Sequence, residues 1–310
     1  MSVRYVCKNC KKEYSPQELE NSMWCSCGSY ISKTACERKR TPPTENEDFI
    51  EPIHIPDEHK RRLKKAHEVC SEIIADAGFV PESLKTGFAV EAHRWFWKPK
   101  EVKFILVAES HVYTSADEVN VHIDIQKIKA LVPDFPINAP TNFVKLVYCL
   151  GYGYSMILDH PKQIKFNPGT RQYAELFRKC VGLESPYRPG SLRWKANILK
   201  TVKARGLWLL DASCHACAKG RKERLPNKVV KRIIPESWNT YVQPIIDELD
   251  IDPEHVWIIG GGLQKLVTGK YSLGANWSYQ PNAILGKELQ EEKKRRNMLL
   301  VNTARRFLDN

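Results

Sequence analysis

Chemistry-bearing side chains gather where apolar runs end. The run Val102 to Val107 is followed by Glu109, Ser110, His111 and Tyr113: an acid, a hydroxyl, an imidazole and a phenol on one short segment. A carboxylate and an imidazole so placed can move protons, the hydroxyl can orient a water, and the phenol can stack on a flat ring. An ordinary strand-to-loop junction is the plain alternative. A second run, Leu207 to Leu210, ends in the carboxylate of Asp211 and leads into Cys214, His215 and Cys217. Those three are either metal ligands lacking a nearby fourth or part of a substrate-facing loop. A third run, His255 to Ile259, ends in Gly260, Gly261 and Gly262. Such a turn lets backbone amides approach a phosphate, or simply turns tightly into a helix. Its spacing is not G-x-G-x-x-G, which argues against a dinucleotide fingerprint.

Cysteine chemistry sits apart, near the N-terminus. Cys7-Lys-Asn-Cys10 and Cys25-Ser-Cys27-Gly28 form two knuckles, each aiming two sulfurs at one point. Four thiolates make a closed tetrahedral site for a structural Zn²⁺. A segment as short as residues 1–36 cannot fold on an apolar core alone, so the metal would supply its stability. An iron–sulfur cluster and buried free thiols are the alternatives. Residues 37–56 are charged and proline-rich and read as a linker. Residues 57–310 form the main domain.

The elements that must position these groups follow from periodicity and turn chemistry. The three apolar runs read as buried parallel strands. Between and around them the sequence predicts helices over 57–77, 143–150, 172–180, 192–204, 235–249 and 285–299, with a further one opening at Leu263. Trp95, Phe96 and Trp97 read as core rather than as a stacking platform. Strands separated by helices predict an α/β fold, a central parallel sheet with helices on both faces. In such sheets the ligand crevice lies beyond the carboxyl ends of the strands, where Glu109, Asp211 and Gly260 fall.

Composition narrows the function classes. The 310 residues carry 48 Lys and Arg against 36 Asp and Glu, a formal net charge of +12. That balance favours a polyanionic partner, most simply nucleic acid. Basic residues cluster between Lys195 and Arg232. No run is long and apolar enough for a membrane span, and the first residues lack the apolar core of a signal peptide. A cytoplasmic protein is expected, with no obligatory protein partner evident.

The order of these motifs resembles the uracil-DNA glycosylase superfamily over residues 95–310. Ala108-Glu109-Ser110-His111-Val112-Tyr113 stands where that superfamily carries its first motif, with Glu109 matching the Glu of the GEAPG type. Leu209-Leu210-Asp211-Ala212 stands where a strand ends in a base-reading Asn. Trp257 to Leu263 matches the later strand and small-residue loop, and Tyr279-Gln280-Pro281-Asn282 the HPSP-type loop. Ser110 replaces the usual water-activating Asp or Asn, and Gln280 the usual His. The resemblance implies a three-layer αβα sandwich and a DNA glycosylase that hydrolyses the N-glycosidic bond of a flipped base. On it, Glu109, Ser110 and His111 are the catalytic candidates, and Asp211 and Tyr113 bind the base. Gly260, Gly261, Gly262, Gln280, Pro281 and Asn282 hold DNA phosphates. A carboxylate at 211 accepts from the amino group of cytosine, and is expected to favour a modified cytosine over uracil, as in defence against modified phage DNA. A catalytically inactive, glycosylase-like nucleic-acid-binding protein and another nucleotide-processing hydrolase are the alternatives.

Overall fold

The computed structural model describes residues 4–6, 13–14, 37–39, 55–219, 223–267 and 276–309. The chain forms two compact units, residues 1–50 and 51–310. In the first, β1 (Arg4–Val6) is the central strand of a three-stranded antiparallel sheet, between β2 (Glu13–Tyr14) and β3 (Glu37–Lys39). β3 falls in the stretch read as linker, because a three-residue strand is too short to show an alternating pattern. Cys7, Cys10, Cys25 and Cys27 lie outside the described residues.

The second unit is built on β4 (Phe104–Ala108), β5 (Leu207–Asp211), β6 (Val256–Ile259) and β7 (Trp277–Ser278). They lie side by side in the order β5-β4-β6-β7, and all run parallel. The first three are buried along their whole length, as their apolar sequences require, Asp211 at the end of β5 being the one charged residue among them. Ile105 pairs with Trp208 and Phe104 with Leu207, so the two pairs point to opposite faces of the sheet. On one face Trp208 meets Trp95 of α2 (Leu84–Phe96), ring centres 5.4 Å apart. On the other, Phe104 stacks on Phe307, 6.1 Å away. Helices therefore cover both faces, and the expected α/β architecture holds.

α1 (Asp57–Asp76) runs as predicted and ends before Gly78, whose φ of 82° favours glycine. It packs on α6 (Asn227–Ser237). α3 (Ile125–Leu131) is short and capped by Asp124. α4 (Arg171–Cys180), α5 (Leu192–Arg205) and α8 (Lys287–Leu308) form the second group, with α4 contacting both of the others. The Ser191 hydroxyl caps α5 by accepting from the Trp194 amide at 3.2 Å.

Three expectations change. Residues 143–150 form no helix; they are a buried irregular turn. Its carbonyls serve other partners: Lys145 O accepts from the Val112 amide, Tyr148 O from the Trp97 indole, and Cys149 O from Lys195. α6 starts at Asn227, inside the basic cluster and eight residues before the helix expected over 235–249, because Val229, Val230, Ile233 and Ile234 form a buried stripe there. Pro235 lies inside it, and the wider turn Trp238–Val242 follows before α7 (Gln243–Glu248). α2 has no counterpart among the helices expected from the sequence; Ser83 caps it, accepting from the Thr86 amide at 3.1 Å.

Candidate functional site at the carboxyl end of the sheet

The chain leaves β4 for β5 on one side and returns to β6 on the other, so the strand order reverses between β4 and β6. A crevice is expected just beyond that point. Parallel pairing brings Glu109, Ala212, Gly260 and Tyr279 to the same end of the sheet. The β4–β5 ladder continues past the strands: the Ala212 amide donates to Ala108 O at 2.8 Å and the Ser213 amide to Glu109 O at 3.0 Å. The backbone carrying the candidate acid is thus fixed on its β5 side.

Of the three catalytic candidates, Glu109 is the one whose charged group reaches the surface. Its carboxylate is 15% exposed and 2.6 Å from the Arg224 guanidinium. Ser110 Oγ accepts from the Cys217 amide at 2.9 Å. His111 lies inside: its Nε2 is 2.9 Å from Glu82 Oε2, and its Nδ1 is 3.7 Å from Asp211 Oδ2, beyond hydrogen-bonding distance.

Asp211 is placed differently from a base reader facing a pocket. Its side chain is 2% exposed, and Oδ2 accepts from Arg94 at 2.5 Å. Arg94 also contacts Glu91, which accepts from the Tyr241 hydroxyl at 2.8 Å. Glu82, His111, Asp211, Arg94 and Glu91 therefore form a buried chain of alternating charge. Burial alone would lower the pKa of His111, but Glu82 and Asp211 outweigh it and raise it to about 9. Burial pushes Glu82 up, but His111 and the Thr114 amide more than offset this and hold it below its ordinary value. The amides of Thr114 and Ala216 each donate to Glu82 at 2.8 Å. Glu82, Arg94 and Arg224 carry no motif. The one local signal was Arg94 directly before Trp95, Phe96 and Trp97, since a guanidinium beside core residues needs a carboxylate, and Glu91 stands three residues before it.

A cleft of about 330 Å³ is lined by Arg224, the partner of Glu109; Glu109 itself is not among its lining residues. Phe79 and Val80 form an apolar wall, 39% and 53% exposed, and Tyr113, Glu82, Lys219 and Arg224 add polar groups. A mostly apolar concavity with a few polar groups is the usual form of a small-ligand pocket. Tyr113 lines it, but Lys219 Nζ already lies 4.5 Å from its ring centre. A stacked base would take the place of Lys219 or use the other face.

The glycines have a structural explanation in two cases. Gly260 has φ of 123°, and a Cβ at Gly261 would fall 2.9 Å from the Trp277 ring. At Gly262 nothing lies within 4 Å of a Cβ position, so its backbone is open. The helical turn that follows, Gly261–Gln264, is short. Gln280 and Pro281 are half-buried and Asn282 exposed just beyond β7, where Lys293 Nζ holds Pro281 O at 3.2 Å and Ala283 O at 2.7 Å.

The Cys214–Cys217 loop turns inward. His215 is 1% exposed, its Nε2 3.1 Å from Ser71 Oγ and its ring 4.0 Å from that of His67. Burial first, then His215, pushes His67 down to about 3. Among the described residues the one convergence of possible metal ligands is Asp252, Glu254 and His255, away from this loop, whereas His215, Ala216 and Cys217 line the 330 Å³ cleft. The basic cluster is also partly spent on structure. Lys195 binds two carbonyls, Lys200 pairs with Asp134, and Lys203 binds Phe96 O. Lys228, Lys231 and Arg232 remain exposed on α6.

No helix among the described residues is long and apolar enough to cross a membrane. Comparison with protein-family models, with curated proteins and with solved structures finds no match to this chain.

Proposed function

We propose that the protein binds nucleic acid at the carboxyl end of its sheet and hydrolyses the N-glycosidic bond of a base flipped into the cleft there. The observation that carries this reading is Glu109, a partly exposed carboxylate at the strand-order reversal, paired with Arg224, which lines a base-sized cavity. Glu109 takes a proton from the attacking water, and its charge stabilises the cationic sugar as the bond breaks. Water oxygen bonds to the anomeric carbon, and the base departs with the electron pair of the broken bond. Arg224, paired with Glu109 before substrate arrives, is free to turn to a phosphate or to the departing base. Ser110 orients the water. His111 is not assigned as a proton donor to the base, since its Nε2 is engaged by Glu82. The choice of base is likewise not tied to Asp211, whose carboxylate Arg94 holds.

The test is a panel of oligonucleotides carrying uracil, C5-modified cytosines and other altered bases, with alkali cleavage to reveal abasic sites. Wild-type protein releases at least one base. Glu109→Gln lowers that rate by about 10²–10⁴-fold, the usual contribution of a positioned base, with DNA affinity kept. A second reading, recognition without hydrolysis, is favoured by the commitment of both Glu109 and Asp211 to arginine partners. Binding without abasic product from any substrate would select it.

For the N-terminal unit we keep the structural zinc site at Cys7, Cys10, Cys25 and Cys27. Supporting it, β1 and β2 pair with Val6 opposite Glu13, on either side of the first cysteine pair.

A further inference from the structure

A second cleft, of about 290 Å³, lies where the starts of α4 and α5 meet the 152–154 turn. Its lining holds three cations, Arg171, Arg188 and Lys195, and no carboxylate among the described residues. Arg171 and Arg188 are exposed and make no ion pair or hydrogen bond through their side chains among the described residues. The Arg171 guanidinium lies 3.7 Å from the position a Cβ would take on Gly190, along a backbone with φ of 84°. Lys195 is 3% exposed at the base of the cleft, its Nζ 2.7 Å from Cys149 O and 3.0 Å from Tyr152 O. Thr170, which precedes α4, makes no capping bond with its hydroxyl; its Oγ1 is buried with no partner. The walls are fixed: the Tyr154 hydroxyl lies 3.1 Å from Gly190 O and 3.0 Å from Ser191 O, and the Gly153 amide donates to Asn167 at 2.6 Å.

Unbalanced like charge is costly for a fold to keep together unless a counter-charge joins it. Surface arginines normally find a carboxylate, and this chain places acids beside many of its others. A hydroxyl and two guanidinium groups lining one cleft that holds no carboxylate among the described residues suit the oxygens of a phosphate.

We propose that this cleft is a phosphate-binding site that takes a phosphoryl oxyanion, of a nucleic-acid backbone or of a free phosphate ester, between Arg171 and Arg188 over Thr170. It goes beyond the base-release reading and does not depend on it.

The test uses the full chain and the double variant Arg171→Gln/Arg188→Gln. Inorganic phosphate is titrated at constant ionic strength while the melting temperature is followed. Single-stranded oligonucleotide binding is measured by anisotropy at several salt concentrations. Phosphate is expected to raise the melting temperature of the wild type and not of the variant. If the backbone is the ligand, oligonucleotide affinity falls by about tenfold or more, and the salt dependence becomes shallower by about 0.7 for each phosphate that is no longer neutralised. Loss of phosphate protection with unchanged oligonucleotide binding assigns a free phosphate ester instead. The control Lys228→Gln/Lys231→Gln removes equal charge from the exposed face of α6. If it weakens oligonucleotide binding as much, with no phosphate effect on either protein, the site is disproved. The proposal also fails if the arginine variant changes neither readout. Thr170→Val removes the hydroxyl without changing charge, and is expected to weaken phosphate protection on its own.

Discussion

Between Glu82 and Asp211, the His111 imidazole is held protonated to about pH 9, against an ordinary value of 6.5. A raised folded-state pKa adds stability that is complete below the unfolded value and is lost as pH climbs through the folded one. Urea unfolding should therefore show stability falling between pH 6.5 and about 9, by on the order of 3 kcal/mol if His111 acts alone. His111→Gln is expected to be less stable at neutral pH and to lose most of that slope. A wild type whose stability stays flat over this window would mean that the ring is already neutral. Five residues picked out by type and position, Glu109, Ser110, His111, Tyr113 and Asp211, do come together at the strand ends. Their partners did not announce themselves. Arg94, Glu82 and Arg224 arrive from a helix, a loop before it and a loop beyond β5, and sequence spacing carries no trace of such long-range pairing. For the same reason Asp211 read as available, whereas Arg94 holds it.

Helices and strands were legible where a cap or a glycine stop framed a clear period. α5 and β5 are the best examples: Ser191 opens the helix, Gly206 closes it, and Leu207 begins the strand at once. Gly206 has φ of 92°, and a Cβ there would fall 2.9 Å from Lys103 Cγ and 3.0 Å from Glu101 O. Gly206→Ala is expected to cost about 1–2 kcal/mol or more, seen as a lower denaturation midpoint with the same slope. A variant as stable as the wild type would show that the helix end can rearrange without cost. Residues 143–150 misled because burial, not periodicity, decides their conformation. An apolar stretch whose carbonyls are needed by Val112, Trp97 and Lys195 cannot also bond them to itself. α6 was missed for the opposite reason: its Lys and Arg residues drew attention to charge and hid the buried stripe between them.

Two compact units share the chain, and the zinc proposed for Cys7, Cys10, Cys25 and Cys27 is assigned to the smaller of them. Metal analysis should find one zinc per chain. Chelation, or Cys7→Ser, should release it and leave the main calorimetric transition, that of residues 51–310, in place. A chain purified with zinc present that holds none would remove the assignment. The net charge of +12 is a property of the whole molecule, but the structure spends part of the basic cluster on carbonyls and carboxylates, while Arg171 and Arg188 at the second cleft have no ion pair among the described residues. One further consequence follows from the Tyr148 hydroxyl, which receives the Leu209 amide at 2.7 Å on the outer side of β5. The ring is fully buried. A strand from another copy would have to evict it before making a first ladder bond there, so on that flank the sheet is sealed against growth by strand addition. A concentrated solution of this protein gains a safeguard against flank-to-flank polymers from one phenol in an irregular turn.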